Sequence, residues 1–339
     1  MLGLFTLVAC GQNGTTRVPD IDEDSAQAQA ERFITEIEAL APPGLTADER
    51  LKVVVTTNIV ADVVSTIGGD AIEMTALIPL GADPHTYEPS PQDYKTMENA
   101  HVVFINGIGL EEAMSSTLEQ VAQRVPVVSL SENAALLTFA SREDNEPDAD
   151  SEHDGEDDSH EHEAMDPHVW FDPWNVMVWT SNAAEAMSTL HPEQAVLFQA
   201  NADAYRSELQ ALDRWIQDVV EELPEDRRRL VTDHFAFQYF AHRYGFEIVG
   251  AVIPAYSTSA QPSAKEIAAL VDAIRTLEVR AVFVGIGVNQ RLAAQAAEDT
   301  GTALIPLYTG SLSSADGPAG TYLDLMRYDV GEIDQALGK

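Results

Sequence analysis

The chain of 339 residues contains one cysteine, Cys10, which excludes an intrachain disulfide. Lysine is nearly as scarce, present only at Lys52, Lys95, Lys265 and Lys339. With 19 basic residues against 56 acidic ones the net charge is −37. A surface so short of positive charge repels nucleic acid and anionic membrane, and it concentrates cations. The same imbalance is also what adaptation to a saline habitat produces. No segment is long and apolar enough to cross a bilayer as a helix. What is plentiful is apolar content, 45% of the chain, enough for two domains of ordinary size.

The first residues carry their own signal. Met1 to Ala9 is a short apolar run that fits the core of a secretory signal, although no Lys or Arg precedes it. That missing basic segment leaves open a start further upstream. Leu7-Val8-Ala9-Cys10-Gly11 resembles a bacterial lipoprotein box, in which Cys10 is lipidated and becomes the mature N-terminus. A lipid anchor on Cys10 would tie the protein to a membrane without a spanning helix.

Residues 143–165 form the most unusual stretch. Asp and Glu dominate it, apolar side chains are almost missing, and His153, His160 and His162 fall within ten residues. Such a run cannot build a core and is expected as a solvated loop. Imidazoles interleaved with carboxylates make a weak, mobile site for a divalent cation. It ends on Asp166-Pro167-His168-Val169-Trp170-Phe171-Asp172-Pro173-Trp174, rich in aromatics and expected in the core.

Taken in order, residues 1–10 read as the signal segment and 11–50 as a tether. Apolar spacing within that tether, at Phe33, Ile34, Ile37 and Leu40, suggests a helix from Ser25 to Leu40. Residues 51–191 alternate strands with helices and read as an α/β lobe. Ser90-Pro91 and Asp172-Pro173 mark helix starts there. Residues 192–223 repeat apolar positions at helical spacing over some 45 Å, enough for a strut between two lobes. Residues 224–339 alternate again, with Ser263 and Glu266 as a capping box. The expected fold is α/β, with two units of mainly parallel sheet joined by a helical strut, and ligands are expected at the carboxyl ends of the strands.

Three histidines fall in loops beside strand ends or helix starts: His85, His168 and His234. Pro or aromatic residues flank each one, and such a surround holds imidazole ligands rigidly. Asp233 and Asp83 are placed to accept the second N–H of a ligand imidazole. His101, His191 and His242 read as structural or surface residues. The separations of the three loop histidines are long, so spacing alone is weak support for a common site.

Gly81-Ala82-Asp83-Pro84-His85-Thr86-Tyr87-Glu88-Pro89-Ser90, Asp166-Pro167-His168-Val169-Trp170 and Thr232-Asp233-His234-Phe235 together resemble the motifs of the zinc/manganese solute-binding proteins of bacterial ABC importers. The acidic histidine loop before Asp166 resembles the zinc-specific branch. The resemblance spans about residues 51–337 in motif order. It implies two lobes with mainly parallel sheets joined by a long rigid helix, with one metal in the cleft between them. It further implies a non-enzymatic, extracytoplasmic, monomeric receptor that captures Zn2+ and delivers it to an importer permease, with His85, His168 and His234 as ligands. It also exposes a departure. The family usually has an Asp within the motif that reads here Leu307-Tyr308-Thr309-Gly310-Ser311, and Gly310 stands in its place. Gly285 stands where another acidic residue is often found. Water, a residue of the acidic loop, Glu88 and Asp316 are the candidates for the fourth position. Two alternatives stay open: a manganese receptor of the same family, and a zinc hydrolase built on three histidines with an open water position. No His-Glu-x-x-His motif and no general base paired with a ligand supports the hydrolase.

Overall fold

The computed structural model describes residues 33–137 and 165–338. Strands β1 (Leu51–Val55), β2 (Ile72–Ala76), β3 (Val102–Ile105) and β4 (Val127–Ser129) form a parallel sheet in the order β2-β1-β3-β4. Strands β5 (Arg229–Thr232), β6 (Glu247–Ala251), β7 (Ala281–Gly285) and β8 (Ala303–Leu307) repeat that order as β6-β5-β7-β8. The helices are α1 (Asn58–Gly68), α2 (Pro91–Glu98), α3 (Ser115–Ala122), α4 (Pro173–Leu190), α5 (Ala195–Glu221), α6 (Gln238–Tyr244), α7 (Ala264–Thr276), α8 (Arg291–Thr300) and α9 (Tyr322–Gly338). The fold is therefore α/β, with two parallel-sheet lobes and one long helix.

Successive strand residues face opposite ways, and here they fall into different cores. Val53, Val55, Val102 and Phe104 face inward, while Val54, Val103 and Ile105 face out against α2 and α3. In the second sheet Leu230, Ala281 and Phe283 face inward, while Val231, Val282 and Val284 face out against α7 and α8. The two inward sets belong to one continuous core, filled by α1, α4, α5, α6 and α9.

Helix α5 is the long element, 27 residues or about 40 Å. Its buried positions Phe198, Ala202, Tyr205, Leu209, Leu212 and Ile216 recur at alternating steps of four and three, a single stripe. That stripe packs on α4, α1, α9 and α6. The helix is a wall of the common core rather than a bare rod. Each Leu or Ile buried there stabilises the fold by about 1.5–3 kcal/mol.

Local chemistry sets the helix starts. Ser90 and Asp93 form a reciprocal capping box with Pro91 at the first position of α2, and Ser263 and Glu266 do the same for α7. Asp172 accepts the Trp174 N–H at the start of α4. Of the helix expected from Ser25 to Leu40, residues 25–32 lie outside the described residues, and between Phe33 and Leu40 the chain makes only a short 3-10 turn, Ile37–Ala39. Its apolar spacing has another cause: Ile37 and Leu40 are buried in the central core, and Thr35 N–H reaches the Val127 carbonyl on β4. Trp174 also departs from expectation, being 54% exposed. Its ring lies against the Arg243 guanidinium and its indole N–H donates to Asp213. Cys10 and the loop histidines His153, His160 and His162 lie outside the described residues.

Candidate metal centre

The carboxyl ends of both sheets point toward one place, where loops of open α/β sheets bind ligands. His85 arrives on the loop after β2. His168 arrives on the segment leading into α4, and His234 follows β5 directly. All three are buried. The Nε2 of His168 lies 3.1 Å from the Nε2 of His85 and 3.1 Å from the Nε2 of His234. Among the described residues this is the one cluster of His, Cys, Asp or Glu close enough to hold a metal ion.

Two of the rings are fixed by carboxylates. Asp166 Oδ1 lies 2.7 Å from His168 Nδ1 and also accepts the His168 backbone N–H at 2.9 Å. Asp233 Oδ1 lies 2.8 Å from His234 Nδ1, and Asp233 Oδ2 accepts Gly285 N–H at 2.7 Å. With Nδ1–H donated outward, each ring presents its Nε2 lone pair to the centre. Lone pairs 3.1 Å apart repel unless a proton or a cation lies between them. Nitrogen ligands on a tetrahedral zinc at bond lengths of about 2.0–2.1 Å sit about 3.3 Å apart, so His168 is nearly spaced from each of its two neighbours for such an ion.

Burial sets the protonation of the group. Burial, and then the neighbouring imidazoles, hold His85 and His168 well below the ordinary imidazole range. Burial would depress His234 too, but the charge and hydrogen bond of Asp233, with Asp83 and Asp166 behind it, raise it instead. Burial also raises Asp233, yet His234 and the N–H groups of Gly285 and His234 outweigh it and lower its pKa. Asp166 is pushed well up by burial, only partly opposed by the His168 N–H and His234. His85 and His168 are thus ready to bind a cation at neutral pH without first losing a proton, while His234 holds its proton to higher pH than they do.

The space where the rings converge is small, about 10 Å³, enough for about one ion or water. Ala82, Thr258, Gly287, Thr309 and Gly310 complete its wall. Glu88 and Asp316, candidates for a fourth ligand, do not border it. Among the described residues Asp83 is its only lining carboxylate, and both of its oxygens are engaged, by the His85 backbone N–H and the Thr258 hydroxyl. Asp83 therefore does not orient the His85 ring as expected. Asp166, which the sequence reading left without a role, orients His168. A signal for it was available: Asp-Pro-His occurs twice, at 83–85 and 166–168, and in both the Asp accepts the His backbone N–H. Gly285 fits its place because a Cβ there would lie 2.2 Å from Thr309 Oγ1 and 3.1 Å from Asp233 Oδ2.

The other described histidines lie apart from this cluster. His101 Nδ1 accepts the Lys52 N–H at 3.0 Å, His191 Nε2 meets the Glu49 carbonyl at 2.9 Å at the end of α4, and His242 is exposed on α6. Trp170 is buried against His168 and donates its indole N–H to the Thr309 carbonyl at 3.1 Å.

The chain is similar to known metal-binding proteins. A family profile described as "ZnuA: Zinc-uptake complex component A periplasmic" matches residues 53–336. The chain is 32% identical over 292 residues to the manganese-binding lipoprotein MntA of Halalkalibacterium halodurans, covering 86% of this chain and 90% of that one. It is 27% identical to the iron ABC transporter substrate-binding lipoprotein MtsA of Streptococcus pyogenes, covering 100% and 96%. The periplasmic zinc-binding protein TroA of Treponema pallidum superposes with a TM-score of 0.75 at 26% identity, covering 85% of this chain and 99% of that one. The hydrolase alternative falls away here, because these are binding proteins of transporters and not enzymes. The chain belongs to the ZnuA family of metal-binding receptors that serve ABC importers.

Proposed function

We propose that this protein captures Zn2+ outside the cytoplasmic membrane and delivers it to the permease of an ABC importer, with the Nε2 atoms of His85, His168 and His234 as ligands. One observation carries the choice of zinc: three buried imidazoles converge within 4.8 Å, and among the described residues the one lining carboxylate, Asp83, already has both oxygens hydrogen-bonded. Imidazoles in a four-coordinate site suit Zn2+, whereas Mn2+ favours carboxylate and water oxygens at higher coordination number. A water completes the set where Gly310 leaves room. The protein works as a monomer held to the membrane by a lipid on Cys10, which the lipoprotein names of its relatives support. His153, His160 and His162 form a weak second site in the acidic loop that raises the local zinc concentration. A manganese receptor is the second reading, favoured by the manganese-binding relative at 32% identity.

Competition titration of the metal-free protein with Zn2+ and Mn2+ separates the two readings. Zinc binding at least a hundred-fold tighter is expected from the donor set. Equal affinity would reject the zinc reading, and no tight binding of either ion would reject the site.

A further inference from the structure

The loop that carries His85 is held from across the cleft. Thr258, between β6 and α7, donates its hydroxyl hydrogen to Asp83 Oδ2, while Asp83 Oδ1 accepts the His85 backbone N–H at 3.0 Å. Asp83 thus has one oxygen for each side of the cleft. The Thr258 loop is itself tied to the second sheet, since the Ala255 carbonyl accepts the N–H of Phe235, next to His234. Two further contacts fall on the same loop. Ser311 Oγ accepts Gly81 N–H at 2.7 Å, and Gly287 approaches the Gly81 carbonyl so closely that a Cβ there would lie 2.5 Å from it.

The other two histidines are held differently. His168 and His234 have a carboxylate on the ring itself, supplied from one or two residues away in the chain. Their aim does not depend on the cleft being shut. His85 has its partner on the backbone, and that partner is shared with the opposite lobe. It is also the most exposed of the three, at 8% against 1% and 2%.

We propose that the Thr258–Asp83 hydrogen bond is the latch of the site. It keeps His85 in place while the ion is bound. The ion leaves when this bond breaks and the loop bearing His85 withdraws, with His168 and His234 staying where they are. Thr258 borders the metal space with its hydroxyl bonded to Asp83, and it acts as a positioning residue. The proposal rests on the reading of the three histidines as ligands.

The test is stopped-flow release of Zn2+ from loaded protein into excess chelator. Thr258→Val keeps the shape and removes the hydroxyl, and Thr258→Ser keeps the hydroxyl. Loss of a hydrogen bond to a carboxylate should speed release roughly ten-fold in Thr258→Val. The melting temperature of the metal-free protein should stay at the parental value, and Thr258→Ser should release like the parent. Hydrogen exchange at amides 81–85 should rise in Thr258→Val alone. Parental release from Thr258→Val, or equal acceleration in Thr258→Ser, would overturn the latch. A parent that takes up no zinc would instead reject the ligand assignment, a result distinct from a loaded parent whose release ignores the substitution.

Discussion

His168 Nδ1 and Asp166 Oδ1 meet at 2.7 Å in a place closed to solvent, although the two residues are separated in the chain only by Pro167. The proline keeps the turn rigid, and the same oxygen takes the His168 backbone N–H. The carboxylate both aims the ring and makes its Nε2 a better donor. Asp166→Asn and Asp233→Asn should each weaken zinc binding by about ten- to a hundred-fold. Asp316→Asn, away from the cleft wall, should leave it unchanged. Competition titration against a chelator checks all three.

The ligands themselves should matter more. His85→Ala, His168→Ala and His234→Ala each remove one donor from a three-donor set, and affinity should fall by about a thousand-fold. His101→Ala and His242→Ala should bind zinc like the parent. Similar losses at all five positions would mean that the site has been placed wrongly.

Acid should act on the metal-free protein through His85 and His168. Their folded pKa values lie below the ordinary imidazole value, so the unfolded chain takes up protons first as pH falls. The stability they contribute is complete above about pH 6.5 and is lost as pH drops toward their folded values. His234 runs the other way: its folded pKa is raised, so its contribution is present below about pH 6.5 and lost as pH rises through the folded value. His85 and His168 therefore lower the melting temperature as pH falls from 7 to 5, opposed by His234 and by Asp166, whose raised folded pKa acts in the same sense as that of His234. Zinc affinity should begin to weaken at a higher pH than the stability does, because His234 holds its proton to higher pH than the other two imidazoles and that proton competes with the ion. Melting curves and titrations at matched ionic strength across that range measure both.

Gly310 offers a test of metal choice. Its φ is not in the left-handed region, and a Cβ added there would lie 3.1 Å from Pro84 Cδ and 3.3 Å from Pro84 Cγ. Gly310→Asp therefore asks the Pro84 ring to shift by a few tenths of an ångström. It brings a carboxylate to the wall of the site. Mn2+ binding should improve relative to Zn2+ by about ten-fold or more. An unchanged ratio of the two affinities would show that the new side chain does not reach the ion.

Much of this was legible in the sequence. Runs such as Lys52-Val53-Val54-Val55 and the Ser90-Pro91, Asp172-Pro173 and Ser263/Glu266 signals are local, and local chemistry fixes where elements begin. His85, His168 and His234 stand out by their Pro- and aromatic-flanked loops, a pattern visible in one dimension, but their long separations left a common site to the family resemblance. What stayed hidden depends on contacts between distant parts. Ile37 and Leu40 imitate helical spacing because they pack against the central core. Trp174 looked like core but turns outward, where Arg243 from α6 covers its ring. Asp83 was expected on an imidazole, yet its second oxygen answers to Thr258, 175 residues later.

The continuous core has a consequence for how the molecule comes apart. Inward residues of both sheets pack on the same five helices, so neither lobe keeps its apolar surface covered if the other unfolds. Heating should then give one cooperative transition, with calorimetric and van't Hoff enthalpies in agreement, rather than two separate melts. A receptor built this way cannot lose one half to a protease while the other survives, and the grip on its ion is only as durable as the whole chain.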